Sequence, residues 1–114
     1  MGLEFTIRDV GDVTIVDLRG RATIGSGNDA LNDQLRNLVN SGARKLLLNL
    51  EQVTHLDSSS IGTIVRIFVS LRRQGGSLKL LNPRGKVQMV LQVTHLMAAI
   101  PTFEDEAQVL TSFH

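Results

Sequence analysis

Cysteine is absent from the 114 residues, and so are tryptophan and tyrosine; proline occurs twice. No cysteine means no disulfide scaffold, no thiol catalysis and no cysteine-ligated zinc or iron–sulfur site, and it fits a reducing compartment. No tryptophan or tyrosine leaves little from which to build a base-stacking platform. Twelve basic residues stand against eleven acidic ones, interspersed, for a net charge of +1. The basic footprint of a nucleic-acid binder is missing. No apolar run approaches the ~18 residues that cross a bilayer. "MGLEFTIRDV" shows no basic start followed by an apolar block, so no signal peptide is read there. Gly2 with Thr6 gives a loose match to an N-myristoylation motif, but the alternation of the same segment reads as a strand start.

What is present is apolar content of 42%, enough for a core without disulfides or metal in a chain the size of one domain, residues 1–114. Leu3, Phe5 and Ile7 alternate with Glu4, Thr6 and Arg8, the pattern of a half-buried strand. Gly11-Asp12 separates it from "VTIVDLRG", and glycine at the first central position suits a type II′ hairpin. "GRATIGSGN" reads as a loop. "DALNDQLRNLVNSG" places Leu31, Leu35, Leu38 and Val39 at helical spacing, with Gly42 as the C-cap glycine. "KLLLNL" is a short, nearly all-apolar run of the kind found in buried parallel strands. A helix through about Arg73 follows, then the strand "SLKLL". Asn82-Pro83 reads as an N-cap with proline at the first helical position. "PTF" is a linker or very short strand, and "EDEAQVLTSF" closes the chain as a helix with acids in its first turn. The order β-β-α-β-α-β-α-(β)-α predicts an α/β fold. Its mixed sheet would combine an N-terminal antiparallel hairpin with parallel β-α-β units and about four helices. "VTHL" occurs at 53–56 and again at 93–96, too short to be a structural repeat.

The segment "HLDSSSIGTIVRIF" places an aspartate and three serines before an apolar helix. Asp and Ser there are ordinary N-cap chemistry. One residue suffices to cap, however, and four polar residues stand in succession at the carboxyl end of a buried strand, where α/β sheets place their sites. At ~100° per residue, Ile61, Ile64, Val65, Phe68 and Leu71 form the expected core face. Ser59, Thr63, Arg66, Ser70 and Arg73 form the expected solvent face, which makes Ser59 the serine a partner reaches.

"LDSSSIG" after "KLLLNLEQVTH" resembles the signature of STAS domains, and more narrowly that of bacterial anti-sigma factor antagonists, whose usual pattern here is Asp-Ser-Ser/Thr-Gly-Leu-Gly. The opening hairpin, the "LNDQL" helix, "GGSLKLLNP" and "FEDEAQVL" follow in the family's order, so the resemblance spans essentially the whole chain. It implies that Ser59, the second hydroxyl residue after the aspartate, is the phosphorylation site. It also implies a serine-kinase anti-sigma factor as partner and a phosphatase that resets the switch. Asp57, Ser58, Ser59, Ser60 and Gly62 of the motif, with Thr63 and Arg66 of the polar stripe, are the expected partner-binding residues. Ser60 departs from the family's usual glycine and adds a second hydroxyl. The implied protein is cytoplasmic, not an enzyme, and needs no cofactor. A non-switching STAS scaffold or adaptor, in a signalling assembly or a transport system, would have the same fold. A nucleotide-binding module is a further alternative, because STAS relatives have been linked to weak nucleotide binding.

Other chemistry fits less well. His55, Asp57 and Ser59 are the ingredients of a hydrolytic triad but lie too close in sequence, and no G-x-S-x-G elbow exists. His55, His95 and His114 lack H-x-x-x-H spacing for zinc, and "NPRGKV" lacks the first glycine and the hydroxyl of a phosphate-binding loop.

Overall fold

The computed structural model describes residues 2–23 and 25–113. Ile24, inside the segment read as a loop, and His114 lie outside the described residues. Strand β1 (Leu3–Val10) turns at Gly11-Asp12 into β2 (Val13–Ala22), and the two pair antiparallel from Leu3↔Gly20 to Val10↔Val13. Gly11 sits at φ 61°, the positive value that the first central position of a type II′ turn requires. Helix α1 (Ser26–Asn40) crosses to β3 (Lys45–Leu56), α2 (Ser58–Arg73) to β4 (Ser77–Leu81), and α3 (Gly85–Val93) with α4 (Leu96–Ala99) to β5 (Thr102–Phe103). Helix α5 (Glu106–Ser112) follows. The sheet order is β1-β2-β3-β4-β5, with every pair after the first parallel.

The all-apolar character of "KLLLNL" is explained by its place in the middle of this sheet, covered on both faces. Leu46, Leu48 and Leu50 point into a core with Leu31 and Leu35 of α1, Ile64, Ile67 and Leu71 of α2, and Val87 and Leu91 of α3. Leu47 points the other way, with Val13, Ile15, Leu81, Val109 and Phe113, under α5. Helices α1 to α4 thus share one face of the sheet and α5 covers the other.

Two local expectations need correction, and the reading of "VTHL" as no repeat holds. The helix count is five rather than about four, because α4 forms a separate single turn after His95 adopts a left-handed conformation (φ 59°). Asn82 is not an N-cap: it too is left-handed (φ 53°), and α3 begins at Gly85 after Arg84. Its backbone N–H instead donates to Phe103 O at 2.8 Å, extending the β4–β5 pairing that "PTF" only hinted at. The duplicated "VTHL" ends β3 in one copy and bridges α3 and α4 in the other, so the copies share no structure.

A charged cluster ties the turn half of the hairpin to α5. Arg8 donates from Nε and Nη2 to both Asp17 carboxylate oxygens (2.7 and 3.2 Å), and from Nη1 and Nη2 to both Glu106 oxygens (3.1 and 2.6 Å). Those bonds, Glu106 first, hold the guanidinium above its ordinary value. The Arg8 hydrogen bond in turn pulls the Asp17 carboxyl below the usual carboxylate range, against the opposing effect of burial. Asn49 of β3 adds a bond to Asp17 at 2.8 Å.

Candidate functional site

Strand β3 delivers the chain at Leu56 to the carboxyl edge of the sheet, beside Ala22 at the end of β2. There Asp57 stays extended (φ −112°, ψ −179°) and caps α2. Its Oδ1 accepts from Ser60 N at 3.2 Å and from Ser59 Oγ at 2.6 Å, while its carbonyl accepts the first helical bond from Ile61 N at 3.0 Å. Its own N–H points back to Ala22 O at 3.4 Å. The cap expectation for Asp57 therefore holds, and the same carboxylate also fixes the hydroxyl of Ser59.

The three serines have three environments. Ser58 is exposed and its hydroxyl has no partner among the described residues. Ser59 is half-buried and held by Asp57. Ser60 is fully buried, its Oγ 3.3 Å from Asn28 Oδ1. The helical-wheel expectation is thus corrected at two levels. Ser59 is not the most accessible serine, and Thr63 is not on the solvent face at all: its exposure is 0%.

The reason is α1, which lies along the flank of α2 that a wheel drawn for one helix on a sheet would leave wet. Asn28 of α1 reaches that flank. Its Oδ1 accepts from Thr63 Oγ1 at 2.9 Å as well as from Ser60. Thr63 in turn accepts from Arg66 Nη2 at 3.0 Å, which leans the exposed Arg66 toward the α1 side. Ser60 and Thr63 are consequently not partner-facing side chains, but the polar underside of the site. Asp57, Ser58, Ser59, Gly62 and Arg66 remain at least partly accessible. A Cβ on Gly62 would meet only Arg66 Nη1, at 3.4 Å, so that glycine is not forced by crowding.

Asn28 is the residue that sequence reasoning missed. It lies about thirty positions upstream in a stretch read as loop, and nothing local marks it as the acceptor for two hydroxyls on another helix. It also accounts for Ser60 standing where glycine is usual: the added hydroxyl is buried but bonded. The triad reading fails on geometry. His55 Nδ1 lies 2.9 Å from Thr54 Oγ1 and Nε2 lies 3.5 Å from Arg21 Nη2, so both ring nitrogens are engaged away from the serines.

Comparison with known proteins places this geometry among relatives. Residues 4–109 match the family model described as STAS domain. A Thermotoga neapolitana protein, provisionally named a homolog of an anti-sigma factor antagonist, is 35% identical over 72 residues. That alignment spans 63% of this chain and 64% of the relative, under two thirds of its length. A Thermotoga maritima crystal structure with the same kind of provisional name superposes with a TM-score of 0.84 at 26% identity, over 96% of this chain and 93% of that one. The Bacillus cell fate determinant SpoIIAA in its phosphorylated form superposes with a TM-score of 0.74 over 97% of this chain and 100% of that one. At 19% identity, that likeness concerns the fold alone.

Proposed function

The chain belongs to the STAS domain family, and from that membership we propose that it is an anti-sigma factor antagonist whose binding is switched by phosphorylation of Ser59. The observation that carries the reading is the 2.6 Å hydrogen bond from Ser59 Oγ to Asp57 Oδ1 at the N-cap of α2. In the unmodified state the hydroxyl donates a hydrogen bond to the carboxylate. A phosphoryl group on that oxygen removes the donor and adds roughly −1.5 to −2 charges beside Asp57. The free N–H groups of the first helical turn offset part of that charge. Asp57 also keeps its bond to Ser60 N, so α2 need not unwind. The switch then acts by like-charge repulsion and by the cost of desolvating a phosphate in an interface, a local change that weakens binding.

The partner in this reading is an anti-sigma factor with serine kinase activity, which supplies the ATP-dependent step. A phosphatase resets Ser59, and the domain itself binds rather than catalyses. The presence of a phosphorylated form of SpoIIAA among its fold neighbours supports the reading. No helix among the described residues is long and apolar enough to cross a membrane.

Exposed Ser58 is the specific observation that favours a different acceptor, so the site must be mapped at single-residue resolution. The domain is incubated with the anti-sigma factor kinase of its own organism and ATP, and the modified peptide is fragmented. Affinity for that partner is then measured by calorimetry for wild type, Ser59→Ala, Ser59→Asp and the phosphorylated protein. Modification at Ser59, near-wild-type binding by Ser59→Ala, and binding weakened roughly tenfold or more on phosphorylation, which is about 1.4 kcal/mol, are expected. Equal affinity of all four forms would leave the non-switching scaffold as the better account.

A further inference from the structure

We propose that the chain pairs with a second copy of itself through the free edge of β1, antiparallel about a two-fold axis at Thr6. Strand β1 is the first strand of the sheet and pairs only with β2 among the described residues. It runs eight residues, contains no proline, and keeps an unbroken register with β2. The opposite edge, β5, has only two residues. Natural edges are usually protected by bulges, proline or brevity, and β1 has none of these; its protection is charge alone.

The hydrogen-bond parity fixes which residues face outward. The two-residue turn closes on Val10↔Val13, which makes that pair hydrogen-bonded, and bonded pairs alternate along the ladder. Val10, Arg8, Thr6 and Glu4 therefore bond to β2, and the N–H and C=O groups of Leu3, Phe5, Ile7 and Asp9 point out of the sheet. An axis at Thr6 places Phe5 opposite Ile7 of the second copy and Leu3 opposite Asp9, so every outward group of these four residues meets a partner. Ile7, 37% exposed at present, is covered by Phe5 of the other copy.

The same register sets Glu4 opposite Arg8. Arg8 has spent four of its five N–H donors on Asp17 and Glu106, which leaves one on Nη1 for Glu4 of the second copy. Among the described residues, Glu4 is held within its own chain only by a 3.5 Å contact to Arg19. The neighbouring registers of correct parity lose this match: an axis at Phe5 sets Glu4 against Thr6, and an axis at Ile7 sets Asp9 against Phe5. The Leu3 end of β1 lies beside the end of β2 that leads to the Asp57 site. Antiparallel pairing therefore carries the two sites to opposite ends of the joined sheet, where both stay open.

The absence of cysteine makes the test direct. In a non-hydrogen-bonded antiparallel pair the Cα atoms are about 4.5 Å apart, within disulfide range. Thr6→Cys is then the sole thiol and faces its own copy across the axis. Two copies of Glu4→Cys would sit about 14 Å apart along the strands. Under mild oxidation Thr6→Cys is expected to form a disulfide dimer roughly tenfold faster or more than Glu4→Cys. Wild type should sediment as a concentration-dependent dimer. Ile7→Pro should sediment as monomer while keeping its circular dichroism spectrum, since that N–H points away from β2. Equal cross-linking of the two cysteine variants, or a wild type that sediments as monomer at its highest soluble concentration, overturns the proposal.

Discussion

Removing Asn28 from beneath the site tests whether the buried hydroxyl network is what holds α1 against α2. In the native chain no buried side-chain polar atom lacks a partner among the described residues. Asn28→Ala removes the acceptor for Ser60 Oγ (3.3 Å) and Thr63 Oγ1 (2.9 Å), both on residues with 0% exposure. Thr63 can turn to Ser59 O, already 3.3 Å away. The Asn28 bond is the one that Ser60 Oγ donates among the described residues, so its loss orphans a buried donor, at a cost of about 1–3 kcal/mol. For a chain of this size that lowers Tm by roughly 4–12 °C. With no tryptophan or tyrosine, urea unfolding is best followed by circular dichroism at 222 nm rather than by intrinsic fluorescence. Adding Ser60→Ala to Asn28→Ala should recover part of the loss, because a missing donor needs no acceptor; the double variant should be at least ~0.5 kcal/mol more stable than the sum of the single changes. Asn28→Asp keeps an acceptor and should lose less than Asn28→Ala. An Asn28→Ala variant within about ±0.5 kcal/mol of wild type, the range of an ordinary surface change, would refute the reasoning.

Asp57→Ala should cost about 0.5–2 kcal/mol through loss of the N-cap bond to Ser60 N, and Asp57→Asn distinctly less, both read by the same urea titration. The depressed pKa of Asp17 makes a prediction about acid. A carboxyl whose folded pKa lies below its unfolded value contributes stability above the unfolded value, and that stability is lost as pH falls through the folded one. Wild-type stability should therefore drop as pH falls below about 4. Asp17→Asn should be less stable at neutral pH and show a flatter decline there; parallel curves for the two proteins would remove Asp17 from the account.

The element order was legible in the sequence because its causes are local. Alternation in "LEFTIRDV", the glycine at the hairpin turn, the apolar run "KLLLNL" and the acid before α2 each act within a few residues, and their reading survives in β1, β2, β3 and the Asp57 cap. Asn82-Pro83 shows the limit of the same reasoning: a good cap sequence was overridden by a backbone bond to β5. The exposure of the candidate site was not local. A wheel drawn on α2 knows one neighbour, the sheet, and it left Thr63 in water. The fold supplies a second neighbour, α1, whose Asn28 makes a buried surface polar enough for Ser60 and Thr63 to lie there without penalty. Hydrophobic periodicity reports how apolar a face is, not how many faces are covered. A helix with two packed flanks can bury serine and threonine wherever a distant residue offers an acceptor. That acceptor, like the meeting of Arg8 with Glu106 ninety-eight positions later, exists only once the chain has folded.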